Sequence, residues 1–167
     1  MFIIFMGVSG CGKTTIGNVT AEAFGLPFYE GDDFHPPENV EKMATGIPLT
    51  DEDRAGWLEA LSNLIRQKLD EGESGVLSCS ALKKKYRDQL RVDPERVHFI
   101  YLKGSYALIR ARMEERSGHY MPPELLRSQF DALEEPEDAV TIHIDQSPIE
   151  IFQQVCFFLE NLGFNAK

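Results

Sequence analysis

Residues 2–15 read FIIFMGVSGCGKTT: an apolar run, a glycine-rich turn, then a lysine and two threonines. Phe2 to Met6 is short, uncharged and β-rich, the composition of a strand buried in a parallel sheet. From Gly7 to Thr14 the chain fits GxxxxGK[ST], the Walker A phosphate loop, where this strand gives way to a helical pattern. Glycine at Gly7, Gly10 and Gly12, with Val8, Ser9 and Cys11 between them, leaves the backbone room to wrap a polyphosphate with its N–H groups. The loop opens a helix whose N-terminal dipole favours anions. Lys13 is expected to neutralise the β- and γ-phosphates of ATP, the Thr14 hydroxyl to hold Mg²⁺, and Thr15 to contact nearby phosphate oxygens. Cys11 fills a free position in the motif and reads as packing.

Outward from the loop, apolar runs alternate with longer helical patterns. Strands are expected at Phe2 to Met6, Leu26 to Gly31, Gly75 to Ser80, Arg96 to Gly104 and Ala139 to Asp145. Helices are expected at Lys13 to Phe24, Arg54 to Asp70, Ala81 to Arg91, Tyr106 to Glu115, Pro123 to Leu133 and Pro148 to Leu162. In the second of these, Trp57, Leu58, Leu61, Leu64, Ile65 and Leu69 recur at helical spacing and form a core stripe. The alternation predicts an α/β fold: a central parallel sheet of about five strands, helices on both faces, and ligands at the carboxyl ends of the strands.

The 167 residues fit one domain, 1–167. No apolar run approaches the roughly 20 residues of a membrane span, so no membrane partner is expected. A net charge of −10 argues against a nucleic-acid partner and makes each cation near an anionic substrate informative. Cys11, Cys79 and Cys156 are widely spaced and odd in number, which favours reduced thiols over disulfides or a zinc site. With no basic leader at the N-terminus, the expected location is the cytoplasm.

The motifs also narrow the reaction. No guanine-reading NKxD is present, and GVLSCS ends in Cys79-Ser80 where a Walker B strand would end in acids. A small-molecule kinase is the remaining common class, and it needs an acid beside the acceptor hydroxyl and a cationic lid. After the second strand comes a dense polar run, Glu30 to Leu58, with Asp32 at the strand tip. Asp32 is expected to orient and deprotonate the acceptor hydroxyl. His35 is a candidate donor to a polyol, with a solvated loop histidine as the alternative. Residues 32–57 form the expected substrate segment. Arg110, Arg112 and Arg116 precede SGHYMPP, so residues 112–123 read as a short lid, with Arg112 and Arg116 closing over the transferring phosphoryl group. Pairing of these arginines with Glu114 and Glu115 is the alternative. Ile144 to Pro148 is a candidate border for the adenine.

GDxxHPxxNxxKMxxGxPLxDxDRxxWL, read from Gly31 to Leu58, resembles the gluconokinase family of small phosphate-loop kinases. The resemblance continues through CSALKKKYRDQLR (Cys79 to Arg91), FIYLKG (Phe99 to Gly104) and the arginine, Gly-His and SQF pattern from Arg112 to Pro136. It implies a nucleotide-kinase-like three-layer fold, often dimeric, that converts ATP and D-gluconate into ADP and 6-phospho-D-gluconate. Such an acceptor needs a carboxylate clamp. Arg54, Lys83 and Arg87 are the cations assigned to it, with Lys83 and Arg87 four apart on one helical face. His119 and Gln129 belong to the family-like pattern without a chemical role. Two competing readings are a kinase of another polyol or acid such as shikimate, and a non-catalytic nucleotide-binding regulator.

Overall fold

All five side chains of β1 (Phe2–Met6) are buried. Successive strand residues face opposite ways, so Ile3 and Phe5 join one core and Phe2, Ile4 and Met6 another. The first core is closed by Ile16, Ala21 and Phe24 of α1 (Lys13–Phe24) and by Ile151, Val155 and Leu159 of α7 (Pro148–Asn161). The second is closed by the Trp57, Leu58, Leu61, Ile65 and Leu69 stripe of α3 (Asp51–Asp70) and by Tyr86 and Leu90 of α4 (Lys84–Leu90). Each fully buried large apolar side chain contributes about 1.5–3 kcal/mol relative to exposure. Helices therefore cover both faces of the sheet, as expected.

The structure is a computed structural model that describes residues 1–115 and 122–165. Its remaining strands are β2 (Phe28–Glu30), β3 (Gly75–Ser78), β4 (Val97–Lys103) and β5 (Val140–His143), and the sheet order is β2-β3-β1-β4-β5. Every pairing is parallel. Ser78 pairs with Phe5 on one side and Glu30 on the other, which brings the carboxyl ends of β1, β2 and β3 to one level beside the glycine loop. Among the described residues no helix is long and apolar enough to cross a membrane.

Several boundaries differ from the sequence expectation. β2 stops at Glu30 and Gly31 begins a 3₁₀ turn, Gly31–Phe34. Any Cβ at Gly31 would lie 2.3 Å from the Ser78 carbonyl oxygen, so only glycine permits this approach. A helix that the pattern did not predict, α2 (Pro37–Ala44), starts on a proline that suits the first helical turn. α3 begins at Asp51, three residues earlier than expected, because Thr50 and Asp53 form a capping box. α4 begins at Lys84: Ala81 has a positive φ of 43° and Lys83 is extended, so residues 81–83 form a turn. Between β4 and β5 lie α5 (Tyr106–Glu115) and α6 (Pro123–Ala132).

Candidate active site

The glycine loop leads from β1 into α1, with Gly12 as N-cap at φ 101°, a conformation that excludes ordinary side chains. No side chain caps this helix and no acid lies in its first turn, so the N-terminal amides keep their affinity for an anion. The Lys13 ammonium donates to the Gly7 and Val8 carbonyls at 3.1 and 3.0 Å, which holds the charge over the loop. Cys11 is buried in the core, as its free position in the motif suggested.

Two cavities meet here. One, of 320 Å³, is lined by the loop residues Ser9, Gly10, Gly12, Lys13, Thr14 and Thr15 and roofed by Met113. The other, of 360 Å³, runs between the loop, the 31–57 segment and α6, and reaches Asp32, His35, Arg54, Trp57, Lys83 and Gln129. Ser9, Lys13, Glu30, Asp32 and Ser78 line both. A donor phosphate in the first and an acceptor in the second would face each other across Lys13 and Asp32.

Glu30 was missed by the sequence reading. It ends β2, and its Oε2 accepts from Thr14 Oγ1 at 2.6 Å. A hydroxyl and a carboxylate held together beside a phosphate loop are the oxygen donors that suit Mg²⁺. The signal available was an acid at the carboxyl end of a parallel strand. Ser78 Oγ, buried at the shared wall, has no hydrogen-bond partner among the described residues.

His35 is placed with care. Its ring stacks on Trp57, centroids 4.2 Å apart, and Trp57 Nε1 donates to the Gly31 carbonyl at 2.7 Å. Asn39 Nδ2 donates to the Asp53 carbonyl at 2.7 Å and lies 3.2 Å from His35 Nδ1. An amide nitrogen only donates, so Nδ1 accepts and the proton sits on Nε2, 3.8 Å from Asp32 Oδ1. Burial, and then the nearby Arg54 charge, push His35 down to about 4. It is a neutral, oriented ring on the wall of the second cavity, with a side chain too buried for a solvated loop histidine. Asp32 itself is exposed at the shared wall.

The three proposed clamp cations part company. Lys83 lines the second cavity, but its ammonium is 2.9 Å from Asp51 Oδ1. Asp51 also takes Lys85 and the Tyr86 hydroxyl; these contacts hold its carboxyl well below the usual range, and Asp51 raises Lys83 in turn. Arg54 lines the cavity and donates Nη1 to Tyr86 Oη at 3.3 Å; among the described residues it has no carboxylate partner. Arg87 is not brought to this site. It is buried, lines neither cavity, and donates Nη1 to the Ala81 and Leu82 carbonyls at 3.0 Å each. The face it was expected to share with Lys83 does not exist, because Lys83 is the extended N-cap.

On the expected lid, Arg112 donates to the Ile144 carbonyl at 2.5 Å and lines neither cavity. That contact joins α5 to the 144–148 segment read as bordering the adenine. The acid partner at this end of α5 belongs to Arg110, whose Nε lies 2.8 Å from Glu114. Arg116 and His119 lie outside the described residues.

The family model described as shikimate kinase matches residues 9–159. The thermosensitive gluconokinase of Escherichia coli K12 is 48% identical over 155 residues, covering 90% of this chain and 83% of that protein. The gluconokinase of Gluconobacter oxydans 621H is 48% identical over 82% of this chain and 77% of its own length. The crystal structure of a gluconokinase from Sinorhizobium meliloti 1021 superposes with a TM-score of 0.87 at 45% identity, covering 96% of this chain and 91% of that one.

Proposed function

The chain belongs to the shikimate kinase family and, among such enzymes, to the gluconokinases; from that membership and the two joined cavities we infer that it transfers the γ-phosphoryl group of ATP to D-gluconate, giving ADP and 6-phospho-D-gluconate. The observation that carries the mechanism is the wall common to both cavities, with Lys13 and Asp32 on it.

In this reading the loop amides and Lys13 hold the polyphosphate and stabilise charge on the transferring group. Asp32 accepts the proton of the terminal hydroxyl as its oxygen bonds to phosphorus and the bond to the β-phosphate oxygen breaks. Arg54 meets the gluconate carboxylate with its bidentate fork, Lys83 adds charge at the rim, and His35 Nε2–H donates to a chain hydroxyl. Thr14 and Glu30 would hold Mg²⁺, which when bound neutralises phosphate charge. Arg112 and Arg116 close the lid over the phosphates, a movement that would take Arg112 off the Ile144 carbonyl. We place the enzyme in the cytoplasm, where its three free thiols would persist, as a homodimer that light scattering would test.

The test of the reaction is ADP release from Mg-ATP with D-gluconate, L-idonate, shikimate, glycerol or no acceptor, with the product identified by mass. Stimulation by D-gluconate is the expected outcome. Turnover with shikimate alone would keep the phosphate-loop mechanism and overturn the acceptor, and ATP binding without acceptor-dependent turnover would leave a regulator.

A further inference from the structure

Gln129 lies 120 residues from the phosphate loop in sequence, yet its side-chain Oε1 accepts the Ser9 backbone N–H at 2.7 Å. Ser9 lines both cavities, and Gln129 lines the acceptor cavity with Leu125, Ser128 and Ala132. Positions 125, 128, 129 and 132 make one face of α6, so the helix presents a wall to the acceptor and fastens that wall to the loop.

The helix is itself fixed on both sides of Gln129. Leu126 is buried in the core, the Glu134 backbone N–H donates to the Leu82 carbonyl at 2.9 Å, and Glu134 Oε2 accepts from the Lys84 N–H at 2.6 Å. Gln129 is thus held from a rigid element, which is what precise placement of a functional group needs.

Its orientation follows from chemistry. A backbone N–H can only donate, so the atom against Ser9 must be the amide oxygen and the two ends cannot be interchanged. The NH₂ end then carries two donors without a protein partner among the described residues. Among the described residues, Gln129 is also the one carboxamide on a wall otherwise furnished with charged groups, hydroxyls, a thiol, an imidazole, an indole and apolar side chains. Charged groups suit the carboxylate and phosphate ends of a polyhydroxy acid; a neutral donor suits a hydroxyl oxygen between them. An amide that accepts at one end and donates at the other polarises both bonds.

We propose that Gln129 is a specificity-determining residue that donates through its NH₂ group to one chain hydroxyl of the acceptor while its Oε1 fixes the Ser9 amide, so that acceptor binding and phosphate-loop geometry are set by the same side chain. The proposal rests on D-gluconate being the acceptor and adds to that reading the atom that selects among polyols.

The test is a cycle between Gln129→Met, which keeps the volume and removes both hydrogen bonds, and a series of D-gluconate analogues each lacking one hydroxyl. Wild-type turnover of D-gluconate is measured first; its failure would sink the acceptor assignment, not the role of Gln129 as such. Given that turnover, one deoxy analogue is expected to lose roughly tenfold in kcat/KM with wild type, the scale of one neutral hydrogen bond. With Gln129→Met, KM for ATP is expected to rise because the Ser9 amide loses its acceptor, and the roughly tenfold preference for D-gluconate over that analogue is expected to fall to about one, since the analogue loses nothing beyond the loop effect. A purely structural role would not single out one hydroxyl. Equal losses across all analogues in both proteins, or a variant within twofold of wild type, would overturn the proposal. Gln129→Glu, which keeps an oxygen for the Ser9 amide, carries the same cycle if the methionine variant does not fold.

Discussion

Thr14 Oγ1 donates to Glu30 Oε2 at 2.6 Å, joining the first turn of α1 to the end of β2 across 16 residues of sequence. The contact puts a carboxylate at the mouth of the phosphate loop without adding an acid to the helix itself, where α1 has none in its first turn. Anion affinity at the helix end and oxygen donors for a cation thereby coexist within one turn.

Glu30→Gln is expected to separate these two properties. The amide still accepts from Thr14 but carries no charge, so the Mg²⁺ concentration for half-maximal velocity should rise and kcat fall about 10- to 100-fold, the range for groups that orient metal ligands. Binding of ATP without metal should be unchanged. Titration of activity with Mg²⁺ at fixed ATP reads this directly, and an unaltered Mg²⁺ requirement would remove Glu30 from the metal site.

For the acceptor carboxylate, Arg54 and Lys83 should differ. Arg54 has no acid partner among the described residues, whereas Lys83 already sits on Asp51. Hydrogen bonds to charged groups contribute about 1.5–3 kcal/mol. Arg54→Ala should therefore raise the D-gluconate KM about 10- to 100-fold with KM for ATP nearly constant, and Lys83→Ala should do less. Equal effects of the two substitutions would mean that Asp51 releases Lys83 on binding, and a null effect at Arg54 would place the clamp elsewhere.

How much of this was legible beforehand depended on whether the signal was local. Gly7 to Thr14 has fixed spacing, and β1, β3 and β4 are apolar runs, so the loop and sheet could be read directly. The α2 helix was hidden by Pro36-Pro37, which reads as a breaker although proline suits a first turn. The start of α3 was hidden because Thr50 and Asp53 cap it before the apolar stripe begins. Glu30 and Gln129 were not assigned because their partners, Thr14 and Ser9, are near only after folding. Arg87 was grouped with Lys83 by a helical spacing that holds only inside a helix, and Lys83 is outside it.

Arg87 should behave as a structural residue. Its guanidinium satisfies two carbonyls of the turn that carries Ala81 at φ 43°. Arg87→Met keeps most of the volume and leaves both carbonyls without this donor, at about 1–3 kcal/mol for a buried unsatisfied group. Thermal or urea unfolding should show that loss, while the D-gluconate KM of the folded variant stays within about twofold. A raised KM with unchanged stability would return Arg87 to the clamp.

His35 gives a pH dependence of definite sign. In the folded chain its ring stays neutral down to about 4, against an ordinary value of 6.5. Between those values the unfolded chain binds the proton and the folded chain does not, so stability rises with pH across the window. The full contribution is present above 6.5 and is lost as pH falls toward 4, before most carboxylates take up protons. His35→Gln removes the titrating group, so its urea midpoint should fall less than that of wild type between pH 6.5 and 4, whatever the lost stacking on Trp57 costs at pH 7. Parallel declines would show that the ring takes up its proton in the folded state as readily as in the unfolded one, and the neutral donor beside Asp32 would then be the wrong description of this site.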